Sequence, residues 1–215
     1  MSAQPAGKNP SLLAAIKHLP EGGTLTLFDV TWEEYEELLA ELGEGYAIRI
    51  CYDRGKLEIT RATAWHEMFK TLALGLARAA AEETDGDLES FGSTTFKRER
   101  FAQGVEPDIC FYVQNAARVT GQNLREAIEE TPPDVVVEID VSHESTNKFV
   151  IYRNLGVPEI WRYDEKRLQI LLLTEQGYAE AATSRALPIL TADALSQFLE
   201  QSKTEGQSAA LRSFR

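Results

Sequence analysis

The chain has 215 residues, 43% of them hydrophobic and 26% charged. That is enough to bury one mixed core and too apolar for a fibrous or wholly disordered protein. Lys and Arg number 22 against 34 Asp and Glu, a formal charge of −12, which repels a polyanion at long range and argues against a protein that coats nucleic acid, although bound cations or a local basic patch can offset it.

Two cysteines, Cys51 and Cys110, lie in apolar strand-like runs; they supply neither a disulfide framework nor a zinc cluster and fit a reducing cytoplasm. No stretch reads as an export signal or a membrane span. Residues 1 to about 23 are rich in Pro, Gly and Ala and read as a loose leader, ordered if at all on contact; the domain proper is expected over 24–202, with 203–215 a flexible tail. The run DVTWEEYEELLAELG predicts a helix: Thr31 is a candidate N-cap, Glu34 completes a capping box three residues on, and Gly43 ends it. Tyr35, Leu38, Leu39 and Leu42 recur at helical spacing and mark its inner face. YAIRICYDRGKLEIT then gives two strands around Asp53-Arg54-Gly55, a hairpin signature.

AWHEMFKTLALGLARAAAEE, from about Ala64 to Glu83, predicts a long central helix that TDGD breaks. LESFGSTTFKRER and EPDICFYVQN have strand character, NLREAIEE adds a turn of helix, and DVVVEIDV is a strand rich in β-branched residues. STNKFVIYRNLG reads as a helix with a glycine stop, capped by Ser145 or Thr146, and PEIWRYD and RLQILLLTE as two further strands. The order implies an α/β or α+β fold, a mixed sheet flanked by helices, preceded by a helix and a β-hairpin.

Acids inside the apolar strands carry the chemistry. In DVVVEIDV, Glu138 and Asp140 share a face, and a buried carboxylate is costly unless it is paired or holds a cation; the plainer reading is that both emerge at the strand end and meet water or an arginine. Asp108 follows Pro107 at the mouth of another apolar strand, with Glu106 on the same face if that strand starts early. Lys148 lies ten positions after Glu138 in the first turn of a helix, where the helix dipole offers a cation nothing; it is either aimed back at the acids or simply solvated. Two strand-borne acids and a lysine meet the needs of phosphodiester hydrolysis, with oxygen ligands for a divalent ion and an ammonium to steady the phosphate. Lys97, Arg98 and Arg100 are candidates for phosphate contact, or a solvated strand edge. The aromatic residues of VPEIWRYD, Trp161 among them, are assigned to the core.

The chain resembles the Uma2 family, also called DUF820, of the PD-(D/E)XK restriction-endonuclease-like superfamily. The resemblance runs from about Asp29 to about Asp164, on DVTWEEYEELL, YDRGKLEIT followed by His66-Glu67, GSTTFKRERFAQGVEPDICFYVQN and PPDVVVEIDVSHESTNKFVIYRNLGVPEIWRYD. It implies a restriction-endonuclease-like central sheet, with Asp108 as the metal-binding aspartate and Glu138 as the second acid. The position two after Glu138, where the superfamily keeps its lysine, is Asp140; in many members of the family a lysine instead stands on the next helix, four before a tyrosine, as Lys148 stands before Tyr152. His66 falls where the family often has a histidine at the start of its central helix, with Glu67 a further carboxylate, although a histidine there also serves as a cap. The implied activity is Mg²⁺- or Mn²⁺-dependent cleavage of DNA by a symmetric dimer. The alternatives are a catalytically silent binding or dimerisation module of the same fold, suggested by the missing strand lysine and the negative charge, and hydrolysis of another phosphoester.

Overall fold

The computed structural model describes residues 10–43, 48–121, 124–140 and 146–215. In chain order these form α1 (Pro10–Lys17), β1 (Thr24–Leu27), α2 (Trp32–Leu42), β2 (Ile48–Asp53), β3 (Lys56–Arg61), α3 (Ala64–Glu83), β4 (Glu89–Gly92) and β5 (Phe96–Arg98). There follow β6 (Gln103–Val105), β7 (Ile109–Tyr112), α4 (Leu124–Glu130), β8 (Val135–Ile139), α5 (Phe149–Leu155), β9 (Glu159–Tyr163), β10 (Leu168–Thr174), β11 (Gly177–Ala181), α6 (Ala192–Glu205) and α7 (Gln207–Phe214).

Local chemistry places the first elements where the sequence expects them. The Thr31 hydroxyl accepts the Glu34 N–H at 3.2 Å and the Glu34 carboxylate accepts the Thr31 N–H at 2.9 Å, closing the capping box of α2. Arg54 and Gly55 both take positive φ, 47° and 95°, as a tight two-residue turn between β2 and β3 requires.

The strands form two sheets. One is antiparallel with order β1-β3-β2-β6-β5; the other has order β11-β10-β9-β8-β7-β4, with β8 and β9 parallel and the remaining pairs antiparallel. The run LESFGSTTFKRER is therefore divided, β4 joining the second sheet and β5 the first. α3 lays Phe69, Leu72, Ala73, Leu76 and Ala80 on one face of the six-stranded sheet, against Ile109, Phe111, Val137 and Trp161, and residues of α6 and α7 close that cluster. The other face, through Cys110, Val136 and Ile160, meets α5 and, from the first sheet, Cys51, Phe96 and Val105. α1 and α2 cover the outer face of the first sheet.

Two segments differ from expectation. The leader carries α1, whose Ile16 is buried among α2 and the first sheet, because α2 and the hairpin leave apolar surface for it to cover. The tail carries the end of α6 and all of α7. Ala210 is fully buried, and a Cβ placed on Gly75 of α3 would lie 3.2 Å from Leu211, so the two helices meet at a glycine. Short helices of this kind are stabilised by the surface they dock on rather than by their own propensity.

Gly104 in β6 is required for a similar reason. A Cβ there would fall 2.2 Å from the Tyr35 hydroxyl oxygen and 2.7 Å from its ring carbon. Tyr35 cannot yield, being fully buried and stacked on Tyr52 at 4.7 Å. Gly104→Ala is expected to cost about 1–3 kcal/mol by overpacking, read from urea denaturation.

Candidate active site at the seam of the two sheets

Side chains from both sheets meet in a cavity of about 140 Å³, whose lining includes Arg49 and Cys51 of β2, Glu58 of β3, His66 of α3, Asp108, Glu138, Asp140 and Lys148. Asp108 immediately precedes β7, Glu138 lies in β8 beside it, and Lys148 ends a 3-10 turn of Thr146–Lys148 that leads into α5. Ser145, a proposed cap for that helix, lies outside the described residues.

Asp108 is 5% and Glu138 2% exposed. The Asp108 carboxylate is oriented by the Ile139 N–H, which donates to Oδ2 at 2.7 Å. Its Oδ1 lies 3.4 Å from the Arg49 Nε. Glu138 accepts a hydrogen bond from Lys148 Nζ at 2.7 Å on Oε2 and a short one from the Tyr152 hydroxyl on Oε1. Burial pushes the Glu138 carboxyl up to about 7 against the pull of the Lys148 ammonium, and the nearby Asp108 charge adds to the rise. Burial works against the Lys148 ammonium too, but Glu138 and Asp108 overcome it and hold the lysine above its ordinary value. Burial and then Glu138 raise the Tyr152 phenol well above its usual range, so it stays a donor.

The fold also buries acids that have nothing to do with this cavity, and their partners differ. Asp134 accepts the backbone N–H groups of Val113 and Asn115 at 2.8 and 2.9 Å and the Asn115 amide. Glu159 accepts Arg185 N–H, Ala186 N–H and Trp161 Nε1–H. Those two carboxylates stitch loops with neutral donors. Asp108 and Glu138 instead have Arg49 and Lys148 beside them as counter-charges.

The remaining candidates divide. Asp140 lines the cavity but is ion-paired to Arg162 at 2.6 Å, the arginine encounter that the plainer sequence reading allowed. His66 lines the cavity and also caps α3, its Nδ1 accepting from the Thr63 N–H at 3.3 Å. Glu67 points along the first turn of α3 to Lys70 at 2.6 Å and Arg49 at 3.4 Å. Glu106 is outside the cavity's lining, accepting from Ile50 N–H and Thr95, with burial raising its carboxyl. Lys97, Arg98 and Arg100 are not gathered here: Lys97 pairs with Glu36 at 2.6 Å, and Arg100 lies over the Phe101 ring. Trp161 is wholly buried in the core.

Arg49 is the residue that sequence reasoning missed. In IRICYD it sits on the face opposite Ile48, Ile50 and Tyr52, a face that alternation assigns to solvent. Cys51 shares that face, and a cysteine is seldom exposed; that was the available signal that β2 is covered on both sides.

The donor set suits a hard cation. Magnesium typically takes one or two carboxylates and completes its shell with water and phosphate oxygens, and Asp108 and Glu138 provide two oxygen donors in a cavity with room for water. Among the described residues no group of three or more His, Cys, Asp and Glu is placed to hold a metal ion by itself.

Among the described residues no helix is long and apolar enough to cross a membrane. No protein of curated function matches the sequence. A solved structure described as "a putative nuclease belonging to DUF820 from Anabaena variabilis" superposes with a TM-score of 0.56 at 15% identity, covering 79% of this chain and 99% of that one; this likeness concerns the fold. A family model described as "Putative restriction endonuclease" matches residues 32–201, which include both halves of the cavity, and the chain accordingly belongs to the Uma2 family.

Proposed function

We propose that the protein is a divalent-metal-dependent endonuclease that hydrolyses DNA phosphodiester bonds at the seam cavity. The observation that carries this reading is the convergence of two buried acids from neighbouring strands, Asp108 and Glu138, on a lysine held 2.7 Å from one of them. Asp108 and Glu138 would hold Mg²⁺ or Mn²⁺, which supplies Lewis acidity and activates water for attack on the phosphorus. The Ile139 N–H fixes the rotamer of Asp108, and the Tyr152 hydroxyl fixes that of Glu138. Lys148 keeps its proton and offers a positive charge that steadies the phosphate as negative charge grows on its oxygens. Asp140, committed to Arg162, has no direct part. Cleavage of both strands calls for a symmetric pair of chains, and free, buried Cys51 and Cys110 suit a reducing cytoplasm.

The test incubates supercoiled, linear and single-stranded DNA with the purified chain and Mg²⁺ or Mn²⁺, while native mass gives the assembly state. Nicking or linearisation that vanishes in Glu138→Ala is expected. Cleavage that survives Glu138→Ala would sink the assignment.

A further inference from the structure

Arg49 has no part in the chemistry assigned above, yet its surroundings are unusual for a buried guanidinium. The residue is 8% exposed and lines the cavity together with Lys148. A guanidinium carries five N–H donors. One on Nη1 goes to the Ile48 carbonyl at 2.9 Å and one on Nη2 to Glu67 Oε1 at 3.4 Å. The Nε–H is buried without a hydrogen-bond partner among the described residues; Asp108 Oδ1, 3.4 Å away, is an ion-pair neighbour outside hydrogen-bond geometry. Had Arg49 been kept only to neutralise Asp108, the closed two-point fork that arginine makes with a carboxylate would be the stable arrangement. Here the fork is open at Nε, and burial of an unused donor is costly.

The charge balance of the cavity gives the open fork a use. Of the acids lining it, Asp140 is paired with Arg162 and Glu58 with Lys56, which leaves Asp108 and Glu138 facing Arg49 and Lys148, with the half-exposed Glu67 a second neighbour of Arg49. A divalent cation that draws on both carboxylates takes Lys148's partner away and leaves Arg49 with the half-exposed Glu67 alone, in a poorly solvated pocket where that imbalance is expensive. A tetrahedral oxyanion restores the balance, and its spaced oxygens fit a guanidinium fork better than they fit an ammonium. The cavity of about 140 Å³ has room for such an anion beside water, which needs roughly 10–15 Å³ of this kind of space per molecule.

We propose that Arg49, with Lys148, forms a phosphate-binding subsite that fills when a divalent cation engages Asp108 and Glu138, so that cation and phosphate bind cooperatively. This rests on the metal-site reading above and adds to it the residue that grips the scissile phosphate.

The experiment measures binding of inorganic phosphate to the full chain by calorimetry and thermal melting, with and without Mg²⁺. Wild type is expected to bind phosphate at least about tenfold more tightly when Mg²⁺ is present, the coupling that linkage requires. Arg49→Lys keeps a cation opposite Asp108 but removes the fork. It is expected to lose roughly tenfold or more in phosphate affinity, the worth of a charged hydrogen bond, with Mg²⁺ binding alone little changed. Equal phosphate affinity in wild type and Arg49→Lys overturns the proposal, as does a wild type that binds Mg²⁺ but shows no coupled phosphate binding. Should Arg49→Lys not fold, the Arg49 Nε–H resonance of isotope-labelled wild type serves instead: it shifts on phosphate addition in Mg²⁺ if the proposal holds, and a resonance that stays put refutes it. DNA left intact while phosphate and Mg²⁺ still bind together through Arg49 would remove the DNA-cleavage reading and keep the subsite. Cleavage unimpaired by Arg49→Lys together with unchanged phosphate binding would do the reverse.

Discussion

Asp108→Asn is expected to lower Mg²⁺-dependent cleavage of supercoiled DNA by about a thousandfold or more while leaving the fold largely intact. The asparagine amide oxygen can still accept the Ile139 N–H that now reaches Asp108 Oδ2, so the strand-end geometry survives. What disappears is the charge that holds the cation, and a metal's electrostatic contribution to such a transition state is several kcal/mol, each step of about 1.36 kcal/mol being tenfold in rate. Asp108→Ala goes further. It leaves the Ile139 N–H without its acceptor and Arg49 with Glu67 as its remaining carboxylate partner, the latter half-exposed at 48%. Removing one member of a buried pair costs about 3–5 kcal/mol, and the surviving Glu67 contact puts the expected loss near the lower end. Plasmid nicking and urea denaturation of the two variants separate the chemical role from the structural one. An Asn variant that cuts like wild type would place the metal aspartate elsewhere.

Lys148→Met is expected to make stability depend more steeply on pH, and the direction follows from Glu138. With Lys148 present, burial already lifts the Glu138 carboxyl to about 7 from an ordinary 4.5. A carboxyl raised on folding stabilises the native state fully below its unfolded value and loses that contribution as pH rises through the folded value. In metal-free wild type the loss therefore runs from about 4.5 to about 7; without the ammonium it continues to higher pH. The variant is expected to match wild type in mild acid and to fall below it by about 1–3 kcal/mol in mild alkali, because raising a carboxyl's pKa by one costs about 1.36 kcal/mol once the group must ionise. Glu138→Gln added to Lys148→Met removes the titrating group and flattens the profile. Cleavage by Lys148→Met should drop by about 10²–10³. Melting curves across this pH range, taken with and without Mg²⁺, check the sign. A variant whose stability follows wild type at every pH would show that Lys148 and Glu138 do not interact as described.

Much of this architecture can be read locally. The α2 capping box, the Arg54-Gly55 turn and the long α3 depend on residues a few positions apart, and each forms as its neighbours dictate. Glu138 stands out as a candidate because an ionisable group inside a β-branched strand contradicts its setting and so calls for a partner, and Asp108 because it marks the mouth of another apolar strand. What escaped depends on pairing across long stretches of chain. β6 is three residues, Gln103–Val105, and is held by strands on either side rather than by any propensity of its own. The division of one strand-like run between two sheets is likewise decided by which edge each half finds. α7 buries Ala210 and packs Leu211 close to Gly75 of α3, a docking surface that no local pattern announces. Arg49 was hidden by the same cause, since alternation along β2 describes one sheet face correctly but says nothing of a second sheet above the other.

That second sheet also governs when the site comes into being. Apart from the contacts of Glu138 with Lys148 and Tyr152, the pairs described in the cavity join segments farther apart in the chain: Ile139 with Asp108, Arg49 with Asp108, Arg49 with Glu67. Contacts of long sequence separation form late because loop closure must precede them. A nascent or half-folded chain thus holds its acids on one sheet and its guanidinium on another, with no chamber between them. The proposed catalytic chamber is a product of complete folding, and a chain interrupted during synthesis would carry the proposed cutting residues without the means to use them.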